Sequence, residues 1–120
     1  MRIKIPHQLS TLNDHDAANR ANKFLGAKLK QEQTELVSLY CKRHPKVSNP
    51  VFVEFEWHYS GKHDLDNIAF AKKYVLDGLV KAGTIANDDQ KHVIGFNDQF
   101  VKVDKGKEAV YVILVEYELE

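Results

Sequence analysis

Cysteine is nearly absent from this chain of 120 residues: Cys41 stands alone. A single cysteine excludes an internal disulfide, and this fits a reducing, cytoplasmic compartment. Long apolar runs are missing too, so the sequence predicts no membrane span. Residues 1–6 alternate apolar and polar, unlike the apolar block of a signal peptide. The length and composition predict one domain over residues 1–120.

Excess charge of either sign is also lacking. The chain carries 17 basic and 17 acidic residues, which gives a formal net charge of zero. Non-specific nucleic-acid binding is usually driven by excess positive charge, so a neutral total argues mildly against it. It does not exclude a metal-dependent nuclease, because the acids of a metal site would offset an equal number of lysines elsewhere.

Hydrophobic periodicity predicts six elements. Alternation indicates strands, and apolar residues at helical spacing indicate helices. The predicted order is strand-helix-strand-helix-strand-strand, with the last two strands forming a hairpin. We therefore expect an α+β domain, with a small mixed or mainly antiparallel sheet, two helices, and the hydrophobic final strand inside the sheet or paired with a partner chain. The predicted spans are 2–6, 15–43, 51–59, 66–82, 91–103 and 109–118.

Two aspartates precede the second predicted helix, in the stretch "KHDLDN" at 62–67. Asp66 is a plausible N-cap, because aspartate accepts hydrogen bonds from free backbone amides at helix starts. One cap needs one acid, however, and Asp64 remains. Asn67 adds another oxygen ligand or hydrogen-bonding group. Capping and metal binding are both open interpretations of this pair.

A second acidic pair, Asp88 and Asp89, follows the same helix, where a polar turn is the alternative interpretation. The helix of residues 66–82 is about 24 Å long, so its two ends cannot share a metal directly. The acids meet only if the loop at 84–90 runs back towards the start of the helix. The nuclease interpretation requires this convergence.

Converging carboxylates would repel one another unless a divalent cation neutralised them. Oxygen ligands without sulfur suit Mg²⁺, with Mn²⁺ able to substitute. Such a site activates water and stabilises charge on a phosphodiester. His63 and His92 flank the acidic pairs, and we interpret both as solvated neighbours and not as ligands.

Two lysines lie on the predicted helix. Lys73 shares a face with Asp66 and Asp77, so it reaches either towards the acids or into an i, i+4 pair with Asp77. Lys72 projects from the apolar side. Its stem snorkels along the core, or its ammonium meets Glu54 or Glu56 on the neighbouring strand.

The motifs "DLDN" at 64–67, "LDGLVKAG" at 76–83 and "NDDQ" at 87–90 occur in this order, with a lysine on the helix between the acids. This arrangement resembles the RusA family of Holliday junction resolvases, which are small homodimeric, magnesium-dependent endonucleases often carried by phages and prophages. The resemblance covers about residues 50–120. Residues 7–44 depart from it, since they form a long Lys/Gln/Glu-rich segment in place of a short basic loop.

The resemblance implies that Asp64, Asp66 and Asp89 hold magnesium, with Asp88 in support. Phe70 occupies the family's usual lysine position. Counting back from "LDGL" makes Lys73 the equivalent catalytic lysine, with Lys72 as the other candidate. Candidate contacts to the DNA backbone are Lys62, Lys72, Lys81, Lys91, Lys102, Lys105 and Lys107.

The implied function is resolution of four-way DNA junctions in recombination and repair, in the cytoplasm of a bacterium or a phage-infected host. A homodimer supplies two sites and makes paired nicks in opposed strands. Two alternatives remain: a non-catalytic DNA-binding module with the same fold, and a nuclease selective for flaps or forks.

Overall fold

A four-stranded mixed sheet carries helices on one face in the computed structural model, which describes residues 1–118. The α+β class and the predicted order of elements are confirmed, although both predicted helical segments are divided. In chain order the elements are β1 (Arg2–Ile5), α1 (Leu12–Ala21), α2 (Lys23–Cys41), β2 (Val51–Tyr59), α3 (Leu65–Ala69), α4 (Lys72–Lys81), β3 (Val93–Lys102) and β4 (Ala109–Glu116).

The core lies between β2 and the helices. Alternate side chains of β2 are fully buried, including Phe55 and Trp57, whereas the intervening Glu54 and Glu56 are half-exposed on the other face. A strand whose side chains alternate in this way has one face against the core. The prediction of a strand over residues 51–59 is therefore confirmed.

The sheet order is β1-β4-β2-β3. β4 pairs antiparallel with both β1 and β2, so the prediction that the hydrophobic final strand lies inside the sheet is confirmed. The predicted hairpin of the last two strands is wrong. β3 pairs parallel with β2, on the side of β2 away from β4, because the α3–α4 crossover returns the chain to the start of β2.

The first helical segment, predicted over residues 15–43, breaks at Asn22. The Asn22 backbone is extended, and its side chain accepts a hydrogen bond from the Phe24 amide at 2.8 Å. Gly26 lies inside α2 at the point where α1 and α2 touch. A Cβ added there would lie 1.6 Å from Oδ1 of Asn19. The glycine therefore permits close packing of α1 on α2.

The second segment divides at Phe70 and Ala71, which keep nearly helical backbone angles. For this reason the apolar face continues across the break, and Ile68, Ala71, Val75 and Leu79 are all buried. Gly83 follows α4 with φ +74, a conformation that suits glycine after a helix.

Candidate metal and nucleic-acid site

Asp64 and Asp66 are exposed at the start of α3, shortly after the end of β2. Asp64 occupies the N-cap position of α3, yet its carboxylate accepts no capping hydrogen bond. Asp66 lies inside the first turn and accepts only from the adjacent Asn67 amide, at 3.0 Å. Capping therefore does not account for this pair, and both carboxylates face solvent.

Polar side chains around Asp64 line a cleft of about 370 Å³ between α1 and α3. Asn67 connects α3 to α1, because its Oδ1 accepts a hydrogen bond from the Asn13 amide at 2.9 Å. Asp14 also lines this cleft, and the sequence interpretation missed it. Its carboxylate accepts from the Thr11 amide at 2.9 Å in a capping box. The Thr-x-x-Asp spacing of residues 11–14 was the signal available.

Asp88 and Asp89 lie at the opposite end of the sheet from Asp64 and Asp66. The Val51 amide donates to the His92 carbonyl at 2.9 Å, so the turn at 88–92 is beside the start of β2. Asp64 follows the end of β2, which has nine residues and is about 26 Å long. Since β3 runs parallel to β2, residues before β3 cannot return to the carboxyl end of β2.

The predicted convergence of the two acidic pairs within one chain is therefore wrong. Within residues 1–118, no group of three or more histidine, cysteine or acidic side chains is arranged to hold a metal ion. The acids of a single chain do not fit the magnesium site that the resemblance implies.

Asp89 belongs to a polar turn. Its Oδ1 lies 2.6 Å from Nδ1 of His92 and accepts from the His92 amide at 3.2 Å. The hydrogen bond with the His92 side chain is the main reason why the pKa of Asp89 is lowered. The turn interpretation thus describes Asp89 in the isolated chain, where His92 is its hydrogen-bonding neighbour. His63 is engaged elsewhere, with Nε2 3.0 Å from the Ser60 carbonyl oxygen.

The two candidate lysines differ in their surroundings. Lys73 is 55% exposed and lies 3.6 Å from Asp77, so the i, i+4 pair forms. Lys72 meets neither Glu54 nor Glu56, and that alternative is wrong. Its ammonium lies 2.7 Å from Asp98 on β3 and above the ring of Phe96.

The exposed candidate DNA-contact lysines divide between the two ends of the sheet. β3 ends beside Tyr59, so the lysines that end or follow β3 share the end of the sheet that carries Asp64. The lysines at the close of α4 and before β3 lie at the other end, with Asp89. The first group is Lys62, Lys102, Lys105 and Lys107; the second is Lys81 and Lys91.

An apolar pocket of about 230 Å³ separates α3 from the carboxyl end of β3. Leu65 and Ile68 of α3 line it together with Phe100 and Val101 of β3. The helix that carries Asp66 therefore faces the end of β3 across this pocket. This strand is at the edge of the sheet, and within residues 1–118 no strand pairs with its outer side.

Among residues 1–118, none of the helices combines the length and the hydrophobicity that a membrane span requires. Comparison with known proteins adds no family to this geometry: no protein-family model matches the chain, and no curated protein does.

Proposed function

We propose that this protein is a magnesium-dependent endodeoxyribonuclease that acts on branched DNA as a homodimer. The observation that carries the proposal is the state of Asp64 and Asp66, two neighbouring exposed carboxylates without a capping role. Since the second acidic pair lies too far away in the same chain, the proposal requires a second copy to supply it.

The outer edge of β3 is the surface that suits such a partner. It extends over ten residues and presents unpaired backbone groups, which are a template for another strand. Antiparallel pairing with the same edge of a second copy follows a twofold axis. It would bring the start of one β3 beside the end of the other. Asp88 and Asp89 of the partner subunit would then lie near Asp64 and Asp66.

Exposed apolar side chains on β3 support this pairing. Ile94 and Phe96, in the first half of the strand, are 47% and 44% exposed. The second half, with Phe100 and Val101, borders the apolar pocket beside α3. Antiparallel pairing places the first half of one strand against the second half of the other. Each copy would thereby cover apolar surface on its partner.

Four carboxylates from two subunits are a suitable oxygen-rich set for Mg²⁺. When bound, the ion would supply positive charge to a phosphodiester and lower the pKa of water. Asp64 and Asp66 would hold it from one side, and Asp89 of the partner subunit from the other. In the isolated chain His92 occupies one oxygen of Asp89.

The lysines at the end of the sheet that carries Asp64 fit the DNA backbone. Lys62, Lys102, Lys105 and Lys107 are exposed there and are suited to phosphate contacts. Lys73 is the functional lysine of the proposal, because Lys72 is already paired with Asp98. Two symmetric sites would nick opposed strands of a four-way junction. The proposed setting is the cytoplasm of a bacterium or a phage-infected host.

Cleavage of a synthetic four-way junction tests the proposal. The wild type should nick it with Mg²⁺ or Mn²⁺ and not with EDTA, and Asp66→Asn should be inactive. Asp104→Asn is the matched control, since Asp104 is an exposed aspartate that follows β3 at the same end of the sheet. No cleavage under any condition, with junction binding retained, would favour the non-catalytic DNA-binding module. Faster cleavage of flaps or forks in competition would favour the flap/fork nuclease.

Mixed dimers test the shared site. One variant carries Asp64→Asn and Asp66→Asn, and the other carries Asp88→Asn and Asp89→Asn. Each should be inactive alone. A mixed dimer would have one site in which all four aspartates are intact, so mixing should restore single nicks but not paired cuts. Continued inactivity of mixtures shown to contain mixed dimers would contradict a site shared between subunits.

A further inference from the structure

The junction between α1 and α2 presents an aromatic side chain to solvent among cations. We call residues 20–28 the elbow. Phe24 is 72% exposed and Leu25 is 48% exposed, so neither contributes its full apolar area to the core. Large apolar side chains exposed side by side at a corner indicate an interaction site more strongly than isolated ones do.

Positive charge is concentrated in and around the elbow, although the chain as a whole has no net charge. Residues 17–31 contain four cations and no acid: Arg20, Lys23, Lys28 and Lys30. Lys28 and Lys30 are paired with Glu32 and Asp77 at 3.8 Å. Arg20 and Lys23 have no carboxylate within 4.0 Å among residues 1–118, and Asp16, one turn before Arg20, does not pair with it. The ammonium of Lys23 lies 5.5 Å from the centre of the Phe24 ring.

The elbow is held rigidly. Asn22 alone separates the two helices, and its side chain caps α2. The Leu25 amide donates to the Asn22 carbonyl at 2.9 Å, and Gly26 packs against Asn19. Because these contacts fix the backbone of the elbow, binding through Phe24 would not carry the entropy cost of ordering a loop.

The elbow is also connected to the proposed nuclease site. α1 begins beside Asn67, which accepts from the Asn13 amide, and His15 packs on Phe70 with ring centres 5.3 Å apart. The ten residues of α1 then place the elbow about 15 Å further along. One DNA molecule is wide enough to contact both.

We propose that the elbow is a wedge for branched DNA, in which Phe24 stacks on a base pair exposed at the branch point while Arg20 and Lys23 contact the flanking phosphates. Inserted apolar side chains unstack and kink DNA in this manner, and every base offers a face to an aromatic ring. Because Arg20 and Lys23 are positively charged, the elbow suits a polyanionic ligand such as DNA better than an apolar groove on another protein. This inference rests on the proposed function, because it takes branched DNA as the ligand.

Binding measured in EDTA tests the wedge without depending on cleavage. The probe is a four-way junction with 2-aminopurine at the branch point, and the reference is a linear duplex of the same arm sequence. Wild type should bind the junction and change the 2-aminopurine fluorescence. Phe24→Ala should weaken junction binding about tenfold, as expected when a base loses its stacking partner, and abolish the fluorescence change. Its affinity for the duplex should change less than twofold.

Three variants complete the design. Phe24→Trp should retain the fluorescence change, and Leu39→Ala, which truncates an exposed leucine near the other end of α2, should behave as wild type. Arg20→Gln with Lys23→Gln should weaken binding to both DNAs and lower the salt slope of log affinity by about two. Circular dichroism checks that each variant folds.

Three results would overturn the wedge: no junction binding by wild type, equal losses of junction and duplex affinity in Phe24→Ala, or an unaltered 2-aminopurine signal with Phe24→Ala. A changed sedimentation mass for Phe24→Ala would also overturn it and assign the elbow to contact between copies. Junction binding that depends on Phe24, without cleavage in Mg²⁺, would retain the wedge and contradict the nuclease.

Discussion

The ammonium of Lys72 lies 2.7 Å from Oδ2 of Asp98, while Oδ1 of the same carboxylate accepts a hydrogen bond from the Trp57 indole at 2.9 Å. Asp98 thus ties α4 to β2 and β3. The side chains of Lys72 and Asp98 are only 21% and 24% exposed. An ion pair so shielded acts within the fold, which leaves Lys73 as the lysine available to a ligand.

Breaking this pair should destabilise the protein. Lys72→Met leaves the Asp98 charge partly buried and without its ammonium, and we expect the free energy of unfolding to fall by about 1–3 kcal/mol. Urea denaturation followed by tryptophan fluorescence measures it. Lys73→Met is the control and should change stability by less than about 0.5 kcal/mol, since it removes only an exposed pair. Equal losses of unfolding free energy in the two variants would show that Lys72 does not stabilise the partly buried charge of Asp98.

Gly78 lies where α4 approaches α2 closely. An added Cβ would lie 2.5 Å from Cγ1 of Val37 and 3.1 Å from the Ser38 nitrogen. We therefore expect Gly78→Ala to destabilise the protein by about 1–3 kcal/mol through overpacking, despite the better helix propensity of alanine. Thermal unfolding of the single variant, of Val37→Ala and of the double variant checks this. The double variant should be more stable than the sum of the single effects allows, and strict additivity would contradict the contact.

The Glu108 carboxylate should make the protein less stable as the pH falls into the acid range. It accepts from the Ser60 hydroxyl at 2.6 Å and from the Gly106 amide at 2.7 Å, and these hydrogen bonds, the first above all, lower its pKa. A carboxyl with a lowered folded-state pKa stabilises the protein fully above its unfolded pKa and loses that contribution as the pH falls through the folded pKa.

Glu108→Gln should therefore lower stability at pH 7 and flatten its decline below about pH 5. Chemical denaturation at a series of pH values measures both effects. Glu116→Gln, at the exposed end of β4, is the control and should follow the wild-type profile. Parallel profiles for wild type and Glu108→Gln would show that this carboxyl carries no acid dependence.

Cys41 should be chemically silent in the folded protein. Its side chain is fully buried, and burial raises the pKa of the thiol to about 12. The reactive thiolate is therefore scarce at neutral pH. Labelling with a thiol reagent should proceed only through unfolding, and its rate should rise with urea as the unfolded fraction does. Rapid labelling in buffer alone would contradict the burial.

The free edge of β3 should govern self-association. Ile94→Lys places a charge on that edge and should convert a dimer to a monomer in sedimentation equilibrium, because a lysine on an edge strand opposes strand pairing. Leu39→Lys adds the same charge to an exposed site on α2 and should leave association unchanged. Dimers that persist in Ile94→Lys would place the interface elsewhere.

Local pattern predicted the elements well. The alternation through Phe55 and Trp57 and the apolar character of β4 each reflect a local rule, and each is found in the structure. Strand neighbours follow another logic. "DKGKE" is compatible with a hairpin, yet the crossover through α3 and α4 decides where β3 lies.

The error in predicting the position of β3 also explains why the separation of the acids was not predicted. Asp64 and Asp66 were identified by their own motif, but whether Asp89 meets them depends on the direction of β3, which no local pattern encodes. The Lys72–Asp98 pair was missed for a similar reason. Asp98 lies between Asn97 and Gln99, and a polar stretch of this kind does not show which side chain faces the helices.

The position of β4 between β1 and β2 also bears on how the chain is made. β1 has no strand neighbour, and β2 lacks its antiparallel neighbour, until β4 has been synthesised, and the whole of α3, α4 and β3 emerges from the ribosome first. Contacts between such distant segments form slowly because long loops must close. The nascent chain therefore leaves β1 unpaired and one edge of β2 open throughout that interval, and unpaired strand edges are where protection by a chaperone matters most.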